Sequence, residues 1–128
     1  MPYRSARTRM RGVHRVLLVD DHPWFRSIAR TMLEGDRFVV VAEAASVAEA
    51  LVELDTHRPD LVVLDVMLRD GTAFDILAVM GAAMPRTVLV SSRAAEAYGD
   101  RVAEHGAVVG FLVKDDLDPD ALDKLVAS

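Results

Sequence analysis

The sequence predicts an α/β domain: a five-stranded parallel sheet, doubly wound as (βα)5. Three observations predict it. Five short, β-rich apolar runs alternate with five helical patterns. Most of the runs are continuously apolar, as strands buried on both faces of a parallel sheet are. Strict alternation of strand and helix then places helices on both faces of that sheet. A chain of 128 residues suits one such domain.

The elements follow in order. The first strand is expected at 16–20. A helix at 23–34 puts Phe25, Ile28, Ala29, Met32 and Leu33 on one face, and Gly35 stops it. The second strand spans 38–42. Ser46 with Glu49 three residues on is a capping-box signature, followed by Val47, Ala50, Leu51 and Leu54 at helical spacing. The third strand is 61–65, and a helix at 72–80 turns Phe74, Leu77 and Ala78 inward. After the fourth strand, 87–91, a weaker helix is expected at 94–104, because Gly99 interrupts it at a cost of about 1 kcal/mol against alanine. The fifth strand is 108–113. Asp118 and Pro119 form an N-cap and first turn for a last helix carrying Leu122, Leu125 and Val126 to the final residue, Ser128. The chain shows no internal repeat, low-complexity segment or interdomain linker.

Composition narrows the class. Just over half of the residues are apolar, so a core can form, and no apolar run reaches the ~18–20 residues of a membrane helix. Without cysteine, disulfides, thiol catalysis and cysteine-ligated zinc are excluded. The net charge of −5 is uneven. Residues 1–15 carry Arg4, Arg7, Arg9, Arg11 and Arg15 and no acid, so the remaining ten basic residues face twenty acids, a balance of −10. The acidic body argues against direct nucleic-acid binding. The basic stretch lacks the apolar segment of a secretory signal. We therefore divide the chain into a basic, disordered extension at 1–13 and a domain at 14–128.

In open α/β sheets the site forms beyond the C-terminal ends of the strands. Those ends carry Asp20 and Asp21, then Asp65, then Ser91 and Ser92, and Lys114 follows the fifth. Each has an ordinary explanation alone, as a helix cap, a turn former or a surface lysine. Their coincidence at one sheet edge has none. Clustered carboxylates raise one another's pKa unless a hard divalent cation such as Mg²⁺ shares their oxygens. Lys114 adds a positive charge and Ser91 a hydroxyl donor. Carboxylate nucleophile, cation and donors are the parts of phosphoryl transfer.

The stretches VLLVDDHPWFR at 16–26, PDLVVLDVMLRDG at 59–71, VLVSS at 88–92 and GFLVKDDLDPDAL at 110–122 carry a resemblance. Over residues 14–128 the chain resembles the receiver domains of two-component response regulators. DDHP after the first strand and KD after the fifth resemble the NarL/FixJ class, whose output is a LuxR-type helix-turn-helix. The resemblance implies the flavodoxin-like strand order 2-1-3-4-5 and a cytoplasmic, Mg²⁺-dependent switch. Asp65 is then the phospho-acceptor, and Asp20, Asp21, Asp65 and the Met67 carbonyl hold the metal. Ser91 binds the phosphoryl group, Lys114 pairs with Asp65 and then with the phosphate, and Phe111 is the switch aromatic. The implied partners are a sensor histidine kinase, a DNA-binding output domain or separate effector, and optionally a second copy of the chain. The last helix ends abruptly at Ser128, which favours a piece of a longer regulator over a stand-alone receiver.

The chain also departs from the family's pattern. Arg69 replaces the usual proline after the acceptor, so a less rigid loop is expected. Asp115 stands where many receivers have a cis-proline, and a cis bond before a non-proline residue costs about 3–4 kcal/mol. Met67 offers no polar group to guide water, which predicts slow self-dephosphorylation. His22 reads as a turn or capping residue and not a metal ligand, and Trp24 and Phe25 as packing residues at the start of the first helix. Three other readings compete. A small aspartyl-phosphate phosphohydrolase needs a second acid near the nucleophile and a cap over its substrate, and neither is found. A degenerate receiver acting only as an interaction module would not need the intact acceptor, acid pair, hydroxyl and lysine. A flavin carrier of the same topology would need a phosphate loop where DDHPW repels phosphate.

Overall fold

The apolar runs form one parallel sheet in the computed structural model, which describes residues 12–127. Its strands are β1 (His14–Val19), β2 (Phe38–Ala44), β3 (Leu61–Asp65), β4 (Arg86–Ser91) and β5 (Val108–Val113). They lie in the order β2-β1-β3-β4-β5, every neighbouring pair parallel. This is the expected 2-1-3-4-5 order. β3, the central strand, is buried at all five positions. Residues 1–11 and Ser128 lie outside the described residues, and with them most of the expected basic extension.

Alternate residues of each strand feed two cores. On one face Leu17, Val19, Val62, Leu64 and Leu89 pack under α2 (Val47–His57) and α3 (Ala73–Met80). On the other, Val16, Leu18, Val63, Val88 and Val90 pack under α1 (Pro23–Leu33) and α4 (Pro119–Ala127). Leu61, Leu64, Leu89 and Leu122 are fully buried, each worth ~1.5–3 kcal/mol against exposure.

Two helix faces differ from expectation. α1 buries Phe25, Ala29 and Leu33, a stripe spaced by four, which leaves Ile28 55% exposed at its edge. α3 buries Ala73, Ile76 and Leu77, so Ile76 and not Ala78 faces the core. The fourth connection is not an α-helix. Ala95–Ala103 winds as 3₁₀ turns broken at Gly99, whose φ of 62° and ψ of −143° no helix accommodates.

The caps follow the sequence more closely. The Ser46 hydroxyl accepts the Glu49 N–H at 3.1 Å, and Glu49 reaches back to the N–H of Ala45, one residue beyond the usual capping box. Asp118 accepts the Ala121 N–H at 2.7 Å at the start of α4. Arg15 belongs to β1 and not to a tail. Its guanidinium donates to the carbonyls of His57 and Arg58 at 2.8 Å each, closing the C-terminal end of α2.

Candidate functional site

β1, β3, β4 and β5 all end at one edge of the sheet, and residues at or just past those ends converge there. Asp20, Asp65 and Ser91 are 1%, 5% and 2% exposed. Lys114, the first residue past β5, sends its ammonium between two carboxylates: 2.6 Å from Asp20 Oδ2 and 3.3 Å from Asp65 Oδ2. Its nearer partner is thus Asp20. The ammonium also lies 4.5 Å from the centre of the Phe25 ring, a cation–π contact from a residue expected only to pack.

The electrostatics follow from crowding. Burial, with the neighbouring Asp20 charge adding to it, pushes the Asp65 carboxyl up to about 6, despite the opposing pull of Lys114. Burial works to lower the Lys114 pKa, but the bond to Asp20 and the charges of Asp65 and Asp20 leave it raised. The site is poised with more negative charge than one ammonium balances.

Ligand atoms of Asp20, Asp21, Asp65 and His22 lie within 4.8 Å of one another. Asp21 Oδ1 is buried without a well-formed hydrogen bond, its neighbour the half-exposed His22 ring nitrogen at 3.1 Å. Such an under-satisfied carboxylate oxygen beside two further carboxylates fits a hard, oxygen-coordinated divalent cation. His22 forms the turn as expected, but through its backbone: its N–H donates to Asp20 Oδ1 at 2.8 Å. Its side chain does not cap α1. The ring Nδ1 instead lies 3.0 Å from Asp20 Oδ1 and 3.1 Å from Asp21 Oδ1, half in the solvent.

Around this centre stand residues the sequence reading did not single out. Arg26 donates to the carbonyl of Asp20 and to Glu43 on β2, tying the acid pair to the sheet. The loop after Asp65 forms a small antiparallel hairpin, Met67–Leu68 against Gly71–Thr72. The proline replacement was expected to loosen this loop, yet it is anchored. Asp70 accepts the N–H groups of Val47 and Ala48 at 2.7 and 3.1 Å, and Arg69 meets Glu49 at 3.3 Å. No peptide bond among the described residues is cis, including Lys114–Asp115.

Among the described residues Ser91 makes no hydrogen bond to Asp65. Its Oγ lies 2.8 Å from the hydroxyl of Tyr98 and accepts the Arg93 N–H at 3.1 Å. The Tyr98 ring lies 6.1 Å from that of Phe111, which is half-buried at the edge of the core, and 6.4 Å from Phe74. The only sequence signal for Tyr98 is that it is the single aromatic in an alanine-rich stretch.

Known proteins resemble this chain in sequence and in fold. The sequence pattern of the response regulator receiver domain matches residues 16–127. The chain is 37% identical over 105 residues to the DNA-binding transcriptional activator DevR/DosR of Mycobacterium tuberculosis, covering 79% of this chain and 48% of that protein. It is 36% identical over 90 residues to the KDP operon transcriptional regulatory protein KdpE of Escherichia coli, covering 69% and 38%. The chain spans about half or less of the length of these relatives. Among solved structures, the signal receiver domain of NarL from Mycobacterium tuberculosis superposes with a TM-score of 0.78 at 28% identity, over 91% of this chain and 98% of that one. A LuxR-family response regulator from Aurantimonas gives 0.75 at 30% identity, over 90% and 83%. With its sheet order, its acid-lined edge and a family match over nearly its whole folded length, the chain belongs to the response regulator receiver domains, the phosphoryl-accepting switches of two-component signalling.

Proposed function

We propose that Asp65 is the residue that accepts the phosphoryl group, from a phosphohistidine on a sensor histidine kinase. The observation that carries this reading is the position of Asp65: a buried carboxylate at the end of the central strand, with Lys114 at 3.3 Å and two further acids beside it. An Asp65 oxygen attacks phosphorus, the phosphorus–nitrogen bond breaks, and the imidazole leaves with its electron pair. Asp20, Asp21, Asp65 and the Met67 carbonyl would hold Mg²⁺. The ion supplies charge neutralisation for the phosphoryl oxygens. Lys114 then exchanges its carboxylate partners for a phosphoryl oxygen, and Ser91 donates to another. Phe111 turns into the space Ser91 leaves, and the surface of the Ala95–Ala103 segment, β5 and α4 changes with it.

In this reading the chain catalyses only its own phosphorylation and dephosphorylation, in the cytoplasm. Trp24 is 62% exposed beside Ile28 on α1 and offers the kinase an apolar contact, whereas Phe25 is buried. Residues 14–128 form the receiver, and the changed surface acts on a DNA-binding output domain or a separate effector. No helix among the described residues is long and apolar enough to cross a membrane.

The test is intact mass after incubation with Mg²⁺ and acetyl phosphate, wild type beside Asp65→Asn. One added phosphoryl group in the wild type alone is expected; an adduct on the variant as well would move the acceptor elsewhere. Met67 is 54% exposed and carries no polar group to orient water, so after removal of the donor the adduct should outlast minutes. Loss within seconds would show that another residue guides the water.

A further inference from the structure

We propose that Tyr98 is a latch that holds Ser91 away from the acceptor until phosphorylation, so that it sets how readily the switch turns. The inference rests on the reading of Ser91 as the phosphoryl-binding hydroxyl and adds a residue that works against it.

A serine oxygen swings on one rotatable bond, and here its oxygen is held by two partners, neither of them Asp65 or Lys114. The Ser91 Oγ is 2.8 Å from Tyr98 Oη and accepts the Arg93 N–H at 3.1 Å. Among the described residues it makes no hydrogen bond to Asp65 or Lys114, although all three lie at the same sheet edge. Ser91 is 2% exposed, so water cannot readily replace a lost tyrosine partner. Drawing the hydroxyl toward a phosphoryl group therefore breaks the Tyr98 bond.

The segment that presents Tyr98 suits such a role. It winds as 3₁₀ turns with poorer hydrogen-bond geometry than an α-helix, and Gly99 breaks it one residue after the tyrosine. The Tyr98 ring lies between Phe74 and Phe111, at 6.4 and 6.1 Å. Release of its hydroxyl frees the ring next to the aromatic that is expected to turn inward. One hydrogen bond thus links the state of Asp65 to the packing of the 3₁₀ segment.

Tyr98→Phe removes the hydroxyl and keeps the ring. The unphosphorylated protein should then spend more time in the conformation that accepts phosphate. Loss of one such bond, at its usual net value, corresponds to about two- to tenfold tighter binding of a phosphoryl mimic. The experiment titrates beryllofluoride into the full chain at fixed Mg²⁺ and follows the bound species by fluorine NMR. Four proteins are compared: wild type, Tyr98→Phe, Ser91→Ala and the double variant, each first shown to melt cooperatively.

The expected result is tighter binding in Tyr98→Phe, weaker binding in Ser91→Ala, and no effect of the tyrosine change once Ser91 is alanine. Equal or weaker binding in Tyr98→Phe would overturn the latch. So would a tyrosine effect that persists without the serine hydroxyl, because the ring would then act through packing alone. If Ser91→Ala binds like wild type, the underlying role of Ser91 falls and the latch with it. That outcome is distinct from a failure of Tyr98 alone.

Discussion

Single residues at the sheet edge are arranged to conflict. Asp20 and Asp65 share one ammonium, and Lys114 sits nearer Asp20, so Asp65 is the less compensated carboxylate. Its pKa, up to about 6, lies above the ordinary 3.8 that holds when unfolded. A raised folded pKa gives stability that is fully present below the unfolded value and lost as pH rises through the folded one. Without divalent metal, Asp65→Asn should therefore stabilise the protein at pH 8, by on the order of 1–2 kcal/mol once solvent screening is allowed for. The gain should shrink as pH falls through about 6 and be gone near 4. Thermal melts in EDTA across that range check it; a variant less stable than wild type at pH 8 would mean the Lys114 pairing outweighs the crowding. These residues were legible because strand ends can be read from the sequence, and the fold brings strand ends together. Tyr98, Arg26 and Asp70 were not legible. Their partners lie 6 to 23 residues away, and no spacing rule joins a loop aspartate to the amides of an earlier helix.

Elements differ in how firmly local sequence decides them. The strands and α1, α2 and α4 carry their own signals in apolar runs, Pro23, Ser46 and Asp118, and the structure follows them within a few residues. The fourth connection carried conflicting ones: alanines favour a helix, whereas Gly99 adopts a left-handed φ and splits the segment into 3₁₀ turns. α4 shows the opposite extreme, a helix fitted so closely that one methyl group would disturb it. A Cβ on Gly110 of β5 would lie 2.6 Å from Leu125 Cδ2, 2.7 Å from Cδ1 and 3.0 Å from Cγ. Gly110→Ala should thus force Leu125 aside and cost about 1–3 kcal/mol, the usual range for overpacking. Gly110→Ala should lower the urea midpoint in the wild type and lower it less in a Leu125→Ala background. An equal loss in both backgrounds would place the clash in the strand backbone.

At the scale of the whole molecule, one sheet separates two cores, and the acidic edge touches both. Asp20 follows and Asp65 ends a strand whose residues alternate between the two faces, Lys114 lies over Phe25 on the α1 side, and Ser91 reaches Tyr98 on the other. This layout was legible as topology, because buried parallel strands and alternating helices allow few arrangements. The partition of Lys114 and Ser91 between the faces was not, since it depends on rotamers and on the 3₁₀ segment. A charge-neutralising ion at such an edge would favour the folded chain as a unit. With no second domain among the described residues, unfolding should be a single transition. Mg²⁺ should then raise the stability of the whole chain by about 2.7 kcal/mol at 100 times its dissociation constant. Asp21→Asn removes a carboxylate whose buried oxygen lacks a well-formed hydrogen bond, and with it a like charge near Asp20 and Asp65. It should leave the metal-free protein at least as stable as wild type while abolishing most of the Mg²⁺ gain. Melting curves with and without Mg²⁺ separate the two effects. A variant that keeps the full gain would take Asp21 out of the metal set, and a metal-free variant weaker than wild type would make Asp21 a structural residue.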